Sequence, residues 1–285
     1  MSRLPLLPVL VLTACSDFNL ALTKPDDTVG GVDTDVGLPL PQDTDVPDTD
    51  VPPPADTDPS VATFAMYAHS NIDLFSVEPT TAALTRIGRF LTPNGAAVAM
   101  ADIAIDLRGR LFAGSYEATS AGAHTIYTVM PTTAAVTRVC EVDVALTGMT
   151  FLSDGRLVAA TEHALTLIDL ANGCATSELY RDNNVTTSGD VVGLPDGKLY
   201  WTVTGSGNDV LMRVDPVAKT ARTVGTTGSI QLYGLGYDEG SGVLYGFSSF
   251  SQRVVTIDPR DATTRVVQGT TPQYWWGATT NPVVW

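Results

Sequence analysis

The chain has 285 residues, 44% of them hydrophobic, enough for one large folded domain or two small ones. Its formal charge of −15 argues against a nucleic-acid partner, because phosphate binding needs a basic surface. Charged residues make up only 16%, and the wealth of β-branched residues and turn formers favours strands over helices.

The charge is unevenly placed. Residues 1–60 hold Arg3 and Lys24 against eleven aspartates, a balance of −9, which leaves −6 for the rest of the chain. The first fifteen residues read MSRLPLLPVLVLTAC. Arg3 supplies a positive start, and Leu4 to Leu12 form an apolar run too short for a bilayer span of about 20 residues. Leu12-Thr13-Ala14-Cys15 resembles the bacterial lipobox, in which small residues precede a cysteine that is lipidated and becomes the new N-terminus. The resemblance implies a signal peptide over 1–14, lipid on Cys15 and membrane attachment through several acyl chains. Ser16 in the following position points to the outer membrane, periplasmic or surface-exposed, although Asp17 follows it.

From Lys24 to Ser60 the chain is rich in Pro and Asp, lacks aromatic residues and repeats Asp-Thr-Asp at 33–35, 43–45, 48–50 and 56–58. Such a segment cannot bury enough surface to offset its ordering entropy. Proline and like charge extend it. At about 3.1 Å per residue, its length would reach on the order of 115 Å. Calcium capture by the paired aspartates is the sharper alternative, but the units lack the turn glycine and bidentate Glu of a dedicated loop. Residues 15–60 therefore read as a disordered, lipid-anchored linker and 61–285 as the folded domain.

That domain is repetitive. PTTAALTRI at 79–87 returns as PTTAAVTRV at 131–139, with weaker copies at 169–179, 215–225 and 258–267. Each copy follows an alternating strand, and the spacing is near 45 residues, the period of a propeller blade. A second motif, Asp-Gly or its equivalent, enters a strand at 106–112, 153–158, 195–200 and 238–245. It is a tight-turn signal, since Gly supplies positive φ. Each unit reads strand A, Asp-Gly turn, strand B, loop, strand C, Asp-Pro turn, strand D. The first unit lacks strand A, and a spare strand at 277–285 would complete it and close the ring. The expectation is an all-β propeller of five four-stranded blades, six being the alternative, and a monomer.

Here the domain resembles the bacterial propellers of the YVTN, NHL and YWTD type. Leu199-Tyr200-Trp201-Thr202 resembles the strand motif of the last, with Val203 in place of its Asp. Functions among such propellers range from scaffolds to lactonases and lyases, so the likeness implies a fold more than an activity.

In a four-stranded blade the B–C loops and D–A connections share one face, the usual ligand side. Candidates there are Glu117, Glu162 and His163 in B–C loops, and Trp275 and Trp276 in a D–A connection. Aligned strand A starts put Asp102, Gly148, Asp190, Gly234 and Gly277 at one position facing the central channel. Asp102 and Asp190, with Glu117 and Glu162, would line a cation or polar-ligand pocket of the oxygen-rich kind that suits Ca2+. Alternatively, both aspartates hydrogen-bond to neighbouring backbone. Trp275 and Trp276 would stack on a sugar or peptide, or pack at the closure, with one pointing inward. Glu162-His163 echoes the His and Glu of lyase propellers, but an adjacent pair in a strand points to opposite faces.

Cys140 and Cys174 are the only other thiols. Export would permit a disulfide, but the alignment puts one late in a strand D and the other early in the next. That separation is expected to exceed the roughly 7 Å that a bridge tolerates. No hydrolase, zinc or phosphate-loop motif occurs. The sequence reads best as a tethered, non-enzymatic binding module for a protein, peptide or glycan. A metal-dependent hydrolase or lyase and a structural envelope protein are the alternatives.

Overall fold

A computed structural model describes residues 58–283. The expected signal peptide, the expected lipidation site Cys15, the expected linker up to residue 57 and the last two residues lie outside them.

Among the described residues there are twenty strands, in five antiparallel sheets of four. Blade 2 is β4 (Met100–Ile105), β5 (Leu111–Ser115), β6 (His124–Val129) and β7 (Val136–Val142). Blade 3 is β8 (Gly148–Phe151), β9 (Leu157–Ala160), β10 (Ala164–Asp169) and β11 (Ala175–Arg181). Blade 4 is β12 (Thr187–Gly193), β13 (Leu199–Val203), β14 (Val210–Asp215) and β15 (Thr220–Thr226). Blade 5 is β16 (Leu232–Asp238), β17 (Val243–Ser248), β18 (Arg253–Ile257) and β19 (Thr264–Gln268). Blade 1 joins the chain's two ends, β20 (Trp275–Thr280) pairing with β1 (Met66–Ser70), then β2 (Asp73–Glu78) and β3 (Ala83–Arg89). The domain is a five-bladed β-propeller.

Position in the blade sets burial. The six residues of β4, MADIAI, are all buried, because an inner strand has a neighbouring blade on each side. The outermost strands β3, β15 and β19 are largely exposed, and their Thr and Arg residues face water. The core lies between blades. Tyr67, Leu74, Phe90, Ile103 and Leu111 fill the space between blades 1 and 2. Met66, Phe75, Phe247 and Trp275 fill that between blades 5 and 1. Trp201 and Trp275 are wholly buried, and each such side chain contributes roughly 4 to 6 kcal/mol of hydrophobic free energy.

The closing strand runs two residues earlier than the sequence suggests. It begins at Trp275, and its register is Met66↔Thr280, Tyr67↔Thr279, Ala68↔Ala278 and His69↔Gly277. It ends at Thr280 because Asn281 turns the chain into Pro282. The Asn281 amide group donates to Ala62 O at 2.8 Å and Phe64 O at 3.2 Å, and its backbone N–H donates to Ala65 O at 2.8 Å.

Both turn motifs fall where expected. Gly109, Gly155, Gly197 and Gly242 take positive φ in the A–B turns. The C–D turns hold a second left-handed position that no glycine announces, occupied by Ala82, Ala134, Cys174, Lys219 and Ala262, one per blade.

The expectation that Cys140 and Cys174 lie too far apart is wrong. They form a disulfide between blades 2 and 3, with Cα atoms 6.0 Å apart. The end of strand D does not meet the next strand D. It meets the next blade's C–D turn, and the left-handed residue of that turn points straight at it.

Candidate functional site

The innermost strands approach so closely that side chains are barely admitted. A Cβ on Gly148 would stand 2.8 Å from the Asp190 Cα, and one on Gly234 would stand 2.8 Å from the Gly277 carbonyl carbon. A Cβ on Gly277 would overlap Asp102 Oδ1 and His69 Nε2. Glycine at this position in three blades follows from the narrowness of a five-bladed ring. Asp102 and Asp190 are the two departures.

Both aspartates are fully buried. Asp102 Oδ2 accepts the Met149 N–H, tying blade 2 to blade 3. Asp190 accepts the Val191 N–H at 2.6 Å through Oδ1 and the Leu235 N–H at 2.5 Å through Oδ2, tying blade 4 to blade 5. Each thus accepts a backbone N–H from the next blade, while Asp102 Oδ1 accepts none. Among the described residues, no group of three or more His, Cys, Asp or Glu side chains is placed to hold a metal ion.

Burial dominates the electrostatics. Loss of solvent, then the Asp190 charge, holds the Asp102 carboxyl well above the usual carboxylate range. Asp190 is pushed up by burial to about 7, although the neighbouring Asp102 carboxyl and then the N–H groups of Leu235 and Val191 oppose the shift. His69, also fully buried, falls to about 4 because its charged form loses hydration. His69 Nδ1 lies 2.7 Å from Ser70 O, so that nitrogen carries the proton and Nε2 presents a lone pair. Nε2 stands 3.7 Å from Asp102 Oδ1, and neither atom has a hydrogen-bond partner. A protonated Asp102 removes the repulsion between two acceptors at that spacing.

Directly above this centre the channel opens. A concavity of about 360 Å³ is lined by Ala101, Thr147, Gly189, Tyr233 and Trp276, the residue before the channel position in each blade. Tyr116, Leu146, Thr187 and Ser188 complete its wall. Tyr116 and Trp276 meet edge to face, centroids 4.7 Å apart and planes at 89°, which makes a corner of two aromatic walls. Tyr116 is 52% exposed and Trp276 half-buried. Among these nine residues none is charged. The nearby Asp209 is withdrawn, since it is buried and its carboxylate accepts the Leu232 N–H at 2.7 Å. Burial raises its pKa.

The other sequence candidates separate. Trp275 turns inward, packs against Phe75 and Phe247, and donates to Thr271 Oγ1 at 3.0 Å, so it belongs to the core. Glu117 is exposed in the β5–β6 loop, outside the wall of the mouth. Glu162 and His163 do converge, at 3.5 Å, contrary to the strand-based expectation, because they occupy the bend between β9 and β10. Glu162 is 78% exposed and neither residue lines the mouth, although the Glu162 carbonyl accepts the Thr187 N–H of its wall at 2.9 Å. Tyr116, Tyr233 and Ser188 were missed. Each sits beside a recognised position, and their shared rim emerges only once five blades are superposed. A larger depression of about 500 Å³ on the turn face adjoins Arg110 and Arg156, but these already pair with Asp106 and Asp154.

No protein-family model matches the chain, and no curated protein matches it in sequence. Among solved structures, a chain in the crystal structure of a nidogen/laminin complex superposes with a TM-score of 0.52 at 12% identity. The match covers 76% of this chain and 98% of that one. The likeness is one of fold. It places the domain among β-propellers by an independent route.

Proposed function

We propose that this protein is a membrane-tethered interaction module whose working surface is the aromatic mouth on the B–C loop face. The observation that carries this is the convergence of Trp276, Tyr233 and Tyr116, from three different blades, on one uncharged concavity. Concave, largely apolar sites with a few polar groups are where ligands bind. Aromatic side chains left half-open cost solvation unless something covers them. The solved propeller of similar shape comes from a nidogen/laminin complex, which agrees with a binding role. At the centre beneath the mouth, each carboxylate accepts an N–H from a neighbouring blade, which favours a staple over a reacting group.

Tethering rests on Leu12-Thr13-Ala14-Cys15 at the end of an apolar run, with the outer membrane as the destination. The Cys140–Cys174 bridge supports export, because disulfides persist in oxidising compartments. The proline-rich linker then serves as a spacer holding the propeller away from the membrane.

A photo-crosslinking residue placed at Tyr116 in the full-length protein, in its own cells, tests the surface. Capture at 116 without capture at Val217, which is 85% exposed on the opposite face, is the expected result. Equal capture at both positions, or none at 116, overturns the assignment.

A further inference from the structure

We infer that the mouth takes a short neutral saccharide, one or two pyranose rings deep. This deepens the interaction reading and rests on it. Three features of the wall select the ligand. It carries no ionised side chain, so a charged group entering it would lose hydration without finding a counter-charge. It is not simply greasy, since Thr147, Thr187 and Ser188 and the Gly189 backbone interrupt the aromatic surface. Their hydroxyl protons are taken within the wall, Thr147 donating to Ala160 O at 3.0 Å, Thr187 to Gly189 O at 3.1 Å and Ser188 to the Asp209 carboxylate, so what Thr147 and Ser188 offer a ligand is acceptor capacity. Its aromatic rings stand at a right angle, Tyr116 against Trp276, with Tyr233 also in the wall.

A pyranose answers all three. Its axial C–H groups form an apolar face that fits the electron-rich face of an aromatic ring. Its equatorial hydroxyls can donate to the Thr147 and Ser188 oxygens, whose own protons are taken within the wall. The right-angled corner lets one ring stack on the sugar while the other meets its edge. A cavity of about 360 Å³ suits a ligand of this size. A folded partner would instead cover roughly 800 Å² of surface on each side. The glycine at 189 keeps the floor open, since a Cβ there would stand 2.6 Å from the Tyr233 Cα and displace that ring.

The test is a titration of the full-length protein, in detergent, with cellobiose, maltose, lactose and chitobiose, followed by calorimetry and tryptophan fluorescence. Among the described tryptophans Trp201 and Trp275 are wholly buried while Trp276 is half-buried, so a blue shift on binding that Trp276→Phe abolishes reports the mouth. At least one neutral disaccharide is expected to saturate. Its affinity should fall at least about tenfold in Tyr116→Ala, whose exposed position makes it safe for folding. It should be unchanged in Val217→Ala, on the turn face. A uronic-acid analogue of the same sugar should bind more weakly. No saturation with any of the four, or affinity unchanged by Tyr116→Ala, overturns the inference. An uncharged proline-rich peptide is the second arm. If it binds with Tyr116 sensitivity while no sugar does, the saccharide falls and the interaction module stands. If crosslinking at 116 also captures nothing, both fall.

Discussion

Cys140 and Cys174 occupy, at the interface of blades 2 and 3, the places that Gly88 and Ala134 hold between blades 1 and 2. PTTAALTRIG at 79–88 aligns with PTTAAVTRVC at 131–140, which puts Gly88 in register with Cys140. Ala134 and Cys174 share the left-handed turn position, with φ of 62° and 63°. A Cβ on Gly88 would stand 3.4 Å from the Ala134 Cβ, and one on Gly225 would stand 3.1 Å from the Ala262 Cβ. The same close approach recurs around the ring, and one interface has turned it into a covalent bond.

Replacing the pair by the residues of its neighbour, Cys140→Gly with Cys174→Ala, should therefore preserve the packing and remove only the cross-link. For a separation of 34 residues, loop-closure entropy predicts a loss of about 4 kcal/mol. Urea melts with and without reductant check this. The wild type should lose that stability on reduction, and the double variant should ignore the reductant. Equal melts for oxidised wild type and double variant would contradict the loop-closure account.

How much of this was readable beforehand depends on the kind of contact. The blade period and the Asp-Gly and Asp-Pro turns are local patterns, carried by residues such as Gly155, Gly197 and Pro216, and they were legible; the terminal closure, a contact between the ends, was legible because the first unit lacks a strand that the last one has to spare. The disulfide was not, because the distance was judged strand to strand when the contact runs from strand to turn. Asp102 and Asp190 were recognised by their column, yet their burial depends on how far five inner strands close in. The mouth was half visible. Trp276 was singled out, while Tyr233 and Tyr116 gain meaning only from the ring that brings them to one rim.

Gly277 is the tightest point at the channel centre. Gly277→Ala would drive a methyl group into Asp102 Oδ1 and His69 Nε2, both held by surrounding blades. We expect a loss of about 3 kcal/mol or more. Gly269→Ala, where nothing lies within 4 Å, should stay within roughly 0.5 kcal/mol of wild type. Chemical denaturation of both variants decides it, and similar losses would show that the ring relaxes more readily than its geometry implies.

The buried acids and histidine pull stability in opposite directions across mildly acidic pH. Asp190 moves from an ordinary 3.8 to about 7, so the folded state holds a proton that the unfolded chain releases. Its favourable contribution is present below pH 4 and fades as pH rises towards 7. His69 moves from 6.5 to about 4, so its contribution is complete above pH 6.5 and fades as pH falls through 4. Asp190→Asn removes the first dependence and, with it, the charge that helps to raise Asp102, while the His69 dependence stays. Relative to wild type, the variant should gain melting temperature steadily from pH 4 to pH 7. A pH-independent difference would mean that Asp190 does not titrate in that window.

Asn281 fastens the start of the domain to its last strand. Its side chain reaches Ala62 O and Phe64 O, while its Oδ1 accepts the Val283 N–H at 3.1 Å. Asn281→Ala leaves these buried groups unpaired, which should cost on the order of 2 kcal/mol. The loss should be local before it is global. Hydrogen exchange should quicken first at Ala65 to Ala68 and at β20, with blade 3 unchanged. Uniform acceleration across all five blades would show that the closure acts through the whole ring.

The anchor is tested by a single atom. If Cys15 carries the lipid, Cys15→Ala should move the protein from the membrane fraction to the soluble one, because a Leu4–Leu12 run is too short to hold a bilayer by itself. Metabolic labelling with a fatty acid should mark the wild type and not the variant. A variant that still sediments with membranes and still labels would place the attachment elsewhere. One that sediments without label would point to retention by the mouth's own ligand, and adding Tyr116→Ala should then release it.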